Sequence, residues 1–235
     1  MKEVNNMKTV LVACEESQRV CCAFRARGWL AFSCDIQPCS GGHPEWHILG
    51  DVSPLIDGNC AFLTQDGEQH AIFGMWDLII AHPPCTYLSN AGARHLYKGG
   101  VLQEDRYKKG LEAKGFFMLF RNANCPHIVI ENPTPSRVFE LPPYSQVIQP
   151  WMFGHPYQKR TLLWIKGLPD LEPTNIVETR IPTNTPGCWF NAKGVDRQKE
   201  RSKTFQGIAD AMAEQWGKYL EVYCNCIKST TMKNY

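Results

Sequence analysis

The chain has 235 residues, 43% hydrophobic and 20% charged, enough apolar material for the core of one domain with at most a small appendage. No run of 18 apolar residues is present to span a bilayer, and MKEVNNMKTVLVAC turns polar too soon for a secretory signal, so a cytoplasmic protein with no membrane partner is expected. A formal net charge of +2 permits a nucleic-acid partner without requiring one, and the eleven cysteines, odd in number and several inside apolar periodic segments, read mostly as reduced thiols.

In chain order, Lys8 to Cys14 reads as a buried strand, after which Ser17 caps a helix to Arg27 with Val20, Ala23 and Phe24 on one face and Gly28 as its stop. Trp29 to Cys34 is a second strand, leading into Asp35, and a Gly/Pro/His-rich loop follows from Gln37 to His47. His47 to Val52 and Trp76 to Ala81 are the third and fourth strands, and Arg106 to Asn122 is a long helix. His127 to Glu131, Gln146 to Gln149 and Thr161 to Ile165 complete the strands. From Pro169 to Lys203 the chain is Pro/Asn/Thr-rich and aperiodic. Thr204 to Tyr219 returns to a helix with Ile208, Met212 and Trp216 in line, and a frayed polar tail is expected after Tyr223.

Strands separated by helices imply parallel crossovers and a three-layer α/β sheet, whose ligands gather at the carboxyl ends of the strands. Asp35, Asp51, Cys85 and Glu131 all fall at such ends. Cys85 also follows two prolines, which fix the backbone so that the thiol projects with little entropy to lose. Taken singly, these residues have plainer readings: Cys85 as packing, Glu131 as a turn cap, Arg160 as the partner of a surface carboxylate. Cys34, Cys39, His43 and His47 have a spacing that zinc sites use, but Cys34 at a strand end should point inward, and no metal is expected.

Five blocks occur in an order that resembles the DNA cytosine-5 methyltransferases, most closely their small phage and prophage members, over about residues 8 to 220. Pro83-Pro84-Cys85 with Ser89 and Ala91-Gly92 is similar to the family's Pro-Pro-Cys-x-x-x-Ser-x-Ala-Gly. Glu131-Asn132 resembles its Glu-Asn-Val, with Pro133 in place of valine, and Gln158-Lys159-Arg160 its Gln-x-Arg-x-Arg, with Leu162 at the second arginine. Gly50-Asp51-Val52 looks like the turn that meets the cofactor adenine, and Thr204-Phe-Gln-Gly207 like the glycine turn into the last helix. The family's first glycine-rich block is replaced by Ala13-Cys14-Glu15-Glu16-Ser17, without glycine.

The resemblance implies a Rossmann-like S-adenosylmethionine-dependent methyltransferase fold with a mostly parallel sheet. A catalytic body would occupy 1-166 and 203-223, a short target-recognition segment 167-202, and a flexible tail 224-235. It makes Cys85, presented by Pro84, the nucleophile that adds to carbon 6 of cytosine. Glu131 becomes the acid at N3 and the exocyclic amine, and Arg160 the partner of O2. S-adenosyl-L-methionine would be held by Cys14, Glu15, Ser17, Asp35, Ile36, Asp51, Val52, Pro83 and Gly207, with Glu15 or Glu16 at its ammonium and Asp35 at its ribose. DNA, with its target base flipped out, would meet Ser89, Arg94, Lys98, Gln158, Arg180 and Arg197, and a mobile loop from Asn90 to Tyr107 with Arg106 would close over it. Trp189, Phe190, Lys193 and Arg201 add aromatic and basic groups to the recognition segment. A monomer or homodimer in a bacterial host cell is expected. Two rival readings stay open: an amino methyltransferase, from whose motif His82-Pro-Pro-Cys85 departs at the last place, and a non-catalytic DNA-binding relative.

Overall fold

The computed structural model describes residues 7–182, 185 and 197–231, with 197–199 and 223–231 described by backbone alone. The amino-terminal half holds β1 (Thr9–Ala13), α1 (Arg19–Arg25), β2 (Leu30–Asp35), β3 (His47–Leu49), β4 (Cys60–Leu63), β5 (Gln69–Ile72) and β6 (Leu78–Ala81). Next come α2 (Asn90–Ala93), the short strands β7 (Tyr97–Lys98) and β8 (Val101–Leu102), α3 (Glu104–Arg121) and β9 (Ile128–Asn132). The chain closes with β10 (Gln146–Ile148), β11 (Tyr157–Gln158), β12 (Thr161–Lys166), β13 (Ile181–Pro182), α4 (Arg197–Ser202) and α5 (Gln206–Thr231).

Among the described residues, seven strands form one sheet in the order β10-β12-β9-β6-β1-β2-β3. The pairs from β9 through β3 are parallel, and β12 runs antiparallel to both β9 and β10. From β1 the chain steps outward to β3 and then returns to lay β6 on the other side of β1. The strand order reverses between β1 and β6, which makes the crevice at their carboxyl ends the topological switch point.

The aliphatic and β-branched strands are buried on both faces, as a parallel sheet requires. Val10, Val12, Leu78, Ile80 and Val129 pack with Val20 and Phe24 of α1 and with Ile208, Met212 and Trp216 of α5. Leu11, Ala13, Ile79, Ile130 and Leu162 pack on the opposite face with Phe117 and Phe120 of α3. This is the mostly parallel three-layer α/β sheet that the strand pattern predicts, in the Rossmann-like form that the resemblance implies.

Several local expectations give way. Ser17 does not cap α1: the helix begins at Arg19, behind a left-handed Gln18 with no side-chain cap. The cap comes from Glu15, whose two carboxylate oxygens accept the Val20 and Cys21 N–H groups at 2.7 and 3.1 Å. The β4–β5 hairpin, absent from the sequence reading, places Phe62 and Ile72 in the α3-side core. Its strands are too short, and their alternation too mixed, to read as strands.

The 167–202 segment is continuous with the body as far as Pro182. Leu171 is fully buried in the α5-side core, Trp216 Nε1 donates to the Pro169 carbonyl at 3.0 Å, and β13 pairs with β11. Trp189, Phe190 and Lys193 lie outside the described residues, as does the Arg197 side chain. Where a frayed tail is expected after Tyr223, α5 continues to Thr231. Among the described residues, no helix is long and apolar enough to cross a membrane.

Candidate active site

The register between β6 and β9 builds the site. Ala81 pairs with Ile130, so the next residue of each strand, His82 and Glu131, stand side by side at the carboxyl ends. His82 is tied to β1 through its N–H, which donates to the Ala13 carbonyl at 2.9 Å. Asn132 Nδ2 donates to the Pro83 carbonyl at 3.0 Å, pinning the Pro-Pro turn that delivers half-buried Cys85. Proline has already fixed φ at two successive positions, so the thiol leaves the strand end on a rigid arm, with Pro84 exposed and Pro83 buried.

The rest of the Pro-Pro-Cys block is explained by backbone geometry. The Ser89 N–H donates to the Cys85 carbonyl at 2.9 Å, and Ser89 Oγ accepts the Gly92 N–H at 3.2 Å as the cap of α2. A Cβ on Gly92 would stand 2.0 Å from the Thr86 carbonyl oxygen, so that position demands glycine. Ser89 is 6% exposed, and its expected place among the DNA contacts becomes that of a buried cap. Arg106, expected on a mobile loop, donates from Nη2 to the Gly92 carbonyl at 3.0 Å and stacks over Tyr87.

The electrostatics centre on His82. Its Nδ1 lies 2.8 Å from Glu131 Oε2, with the two side chains 11% and 14% exposed. Burial alone would lower the His82 pKa, but the hydrogen bond and charge of Glu131, aided by Glu15, raise it above the ordinary imidazole value. For Glu131 burial acts upward, and the His82 hydrogen bond, the His82 charge and Lys159 bring its pKa below the ordinary carboxylate value. Both shifts favour the same imidazolium–carboxylate pair, at the residue where the resemblance implies the acid for N3. Burial pushes the Cys85 thiol up, with the Lys159 charge opposing and the Glu131 charge reinforcing. Burial raises Glu15 to about 7.

At the ends of β1, β2 and β3, the charges of Asp35 and Asp51 both act on the Cys14 and Cys34 thiols, so the four groups lie near one another. Ile36, 79% exposed, offers an apolar face beside Asp35, while Asp51 accepts the Ser53 N–H at 3.0 Å. Cys14 and Gln18 adopt φ of 59° and 57°, a conformation suited to glycine. The glycine-free turn is therefore glycine-like in path. Its close neighbour is Gly41, where a Cβ would lie 2.7 Å from the Ser17 carbonyl oxygen. Glu16 accepts a short hydrogen bond from Ser40 Oγ. Val52 is buried in the α3-side core instead of facing the crevice, and Glu15 is engaged by α1. Gly207 serves close packing, since a Cβ there would stand 1.9 Å from the Phe153 carbonyl oxygen.

On the rim, Arg160 donates to Thr134 Oγ1 at 3.1 Å and Tyr144 Oη at 3.2 Å. Gln158, Lys98 and Arg94 are not buried, and Arg180 stacks over Trp151 at 3.9 Å. The zinc-like spacing resolves otherwise: His47 Nδ1 meets Ser33 Oγ and its Nε2 the Gln37 carbonyl, both at 2.9 Å. Among the described residues no group of three His, Cys, Asp or Glu could hold a metal. Sequence reasoning missed His82, Asn132 and Lys159. Each sits inside or beside a quoted block, and what identifies it is strand register, not residue type.

Fold and strand-end residues together define a Rossmann-like α/β protein. The sequence matches no protein-family model and no curated protein. Among solved structures it is similar to the Entamoeba histolytica methyltransferase EhMeth, at 13% identity and TM-score 0.43 over 74% of this chain and 58% of that one. A Spodoptera frugiperda DNMT2 mutant aligns at 14% identity and TM-score 0.36, over 76% of this chain and 55% of that one. An Escherichia coli rRNA methylase aligns at 16% identity and TM-score 0.34, over 70% and 59%. The chain thus spans between 55% and 59% of the length of these three proteins.

Proposed function

We propose that the protein is an S-adenosylmethionine-dependent methyltransferase that modifies carbon 5 of cytosine in DNA through a covalent adduct with Cys85. The observation that carries this reading is the presentation of Cys85 on a pinned Pro-Pro turn at the switch point, next to a hydrogen-bonded Glu131 on the adjacent strand.

Carbon 5 of cytosine becomes nucleophilic once a group adds at carbon 6, and a thiolate is suited to that addition. Lys159 supplies the positive charge that favours the Cys85 thiolate against burial. Glu131, held ionised, accepts the exocyclic N–H of the base and so fixes the ring against the sulfur. Arg160 at the rim would meet O2 or a flanking phosphate, and Arg94, Lys98 and Arg180 the DNA backbone. A base must leave the duplex to enter this crevice.

The residues around the crevice fit the methyl donor: a half-buried Asp35 carboxylate for ribose hydroxyls, an exposed Ile36 face for the adenine, and Asp51 beyond it. When bound, S-adenosylmethionine would supply the electrophilic methyl group. The amino-methyltransferase alternative needs a free polar side chain before Pro-Pro, whereas His82 there is committed to Glu131.

A covalent adduct between the protein and DNA bearing 5-fluorocytosine is expected by denaturing gel, and Cys85→Ser should abolish it together with 5-methylcytosine detected by mass spectrometry. Undiminished methylation by Cys85→Ser, or a product that is N4-methylcytosine, would remove the reading.

A further inference from the structure

His82 stands between the two halves of the site. Its backbone N–H is bonded to the end of β1 and its Nδ1 to Glu131 at the end of β9, and the next three residues are the Pro-Pro-Cys arm. An ionised carboxylate can only accept, so Nδ1 carries the hydrogen. Nε2 is buried and among the described residues has no hydrogen-bond partner. A histidine placed for packing alone would be neutral, with burial keeping it so. Here three charged groups from three different elements face the ring: Glu131 on β9, Glu15 after β1, and Lys159 before β12. The Glu131 hydrogen bond and charge, joined by Glu15 as it ionises, outweigh burial and Lys159 and favour the imidazolium.

We propose that His82 is the positioning residue of this site, an imidazolium that fixes the Glu131 carboxylate in orientation and charge so that it can receive the target base. The inference rests on the base-methylating reading given above, because Glu131 is the group through which His82 acts. Glu131 without that charge would be a buried carboxylate supported by Lys159 alone, and burial would raise its pKa so that it takes up a proton more readily. A protonated Glu131 is no longer an acceptor at both oxygens, and the exocyclic amine would lose its partner. Activity should therefore fall on the acid side as Glu131 takes up a proton, and removing the His82 charge should move that fall to higher pH.

Two substitutions separate orientation from charge. His82→Ala removes both and should lower kcat by about 10- to 100-fold, the loss expected of one hydrogen bond to a charged group. His82→Asn keeps an N–H donor where Nδ1 stood but carries no charge. It should recover part of kcat while the acid limb of kcat/KM set by Glu131 moves to higher pH. An unchanged acid limb in His82→Asn, or equal kcat in His82→Ala and wild type with both folded by circular dichroism, would overturn the proposal.

A readout on the ligand-free protein distinguishes this failure from failure of the methyltransferase reading. Imidazole NMR titration of wild type should show His82 titrating above the ordinary histidine value, and Glu131→Gln should bring it down. If that coupling is found and no DNA methylation is, the reading of the substrate falls while the imidazolium–carboxylate pair stands. If His82 titrates identically in Glu131→Gln, the pair itself is refuted whatever the activity.

Discussion

Glu15 is the residue where helix capping and burial compete most directly. Its carboxylate caps α1 through two backbone N–H groups, which favours the ionised form, yet burial outweighs them and raises it to about 7. A carboxyl group whose folded pKa lies above its unfolded value contributes stability that is fully present below the unfolded pKa, near 4.5, and is lost as pH rises through about 7. Urea denaturation at steps between pH 4.5 and 8 should therefore show the wild type losing stability relative to Glu15→Gln as pH rises. His82, raised by Glu131 and Glu15, contributes a loss of the same sign above the ordinary histidine range and is present in both proteins, so the comparison isolates Glu15 to first order. A gap between the two proteins that is independent of pH would mean that Glu15 is not titrating in this range.

At the scale of elements, the turn from β6 to α2 presents Cys85, and its glycine is the test of how tightly it is built. A Cβ at Gly92 meets the Thr86 carbonyl oxygen one residue beyond Cys85, so Gly92→Ala must shift backbone and should cost about 1–3 kcal/mol by thermal denaturation. The same shift moves Cys85, so adduct formation should slow as well. Gly115 is the control: it is exposed in mid-α3 with nothing near its absent Cβ, and Gly115→Ala should be neutral or stabilise by up to about 1 kcal/mol. Equal effects of the two substitutions would show that the turn relaxes freely. This element was legible in sequence because Pro-Pro-Cys and the Ser89–Gly92 spacing are local. The His82–Glu131 pair was not, because those residues are 49 apart and meet only through the β6–β9 register. Ser17 failed as a cap for a related reason: Glu15 reaches forward to the same N–H groups, a competition that residue type alone does not reveal.

For the whole molecule, the strand runs announced the sheet, and burial on both faces follows from their unbroken apolar character. Less legible was how the chain closes. Leu171 enters the core from a segment whose Pro/Asn/Thr composition reads as an excursion, and α5 seats its first turn on the loop after β10. That seat depends on His155, whose Nε2 accepts the Gly207 N–H at 2.9 Å and must therefore be unprotonated. Burial lowers its pKa, Arg19 reinforces this, and Asp210 opposes it. A histidine depressed in the folded state contributes stability that is present above its unfolded pKa, near 6.5, and is lost as pH falls through the folded value. The α5 face of the core should thus loosen in mild acid, on the opposite flank from Glu15 and His82. His155→Gln keeps an acceptor oxygen and cannot titrate. Urea midpoints at pH 7.5 and 5.5 should fall less between these values in the variant than in the wild type. Because His47 is depressed in the same direction and remains in both proteins, it is the difference between the two that tests His155. An identical acid loss in both proteins would assign that loss elsewhere and leave α5 held by its apolar contacts alone.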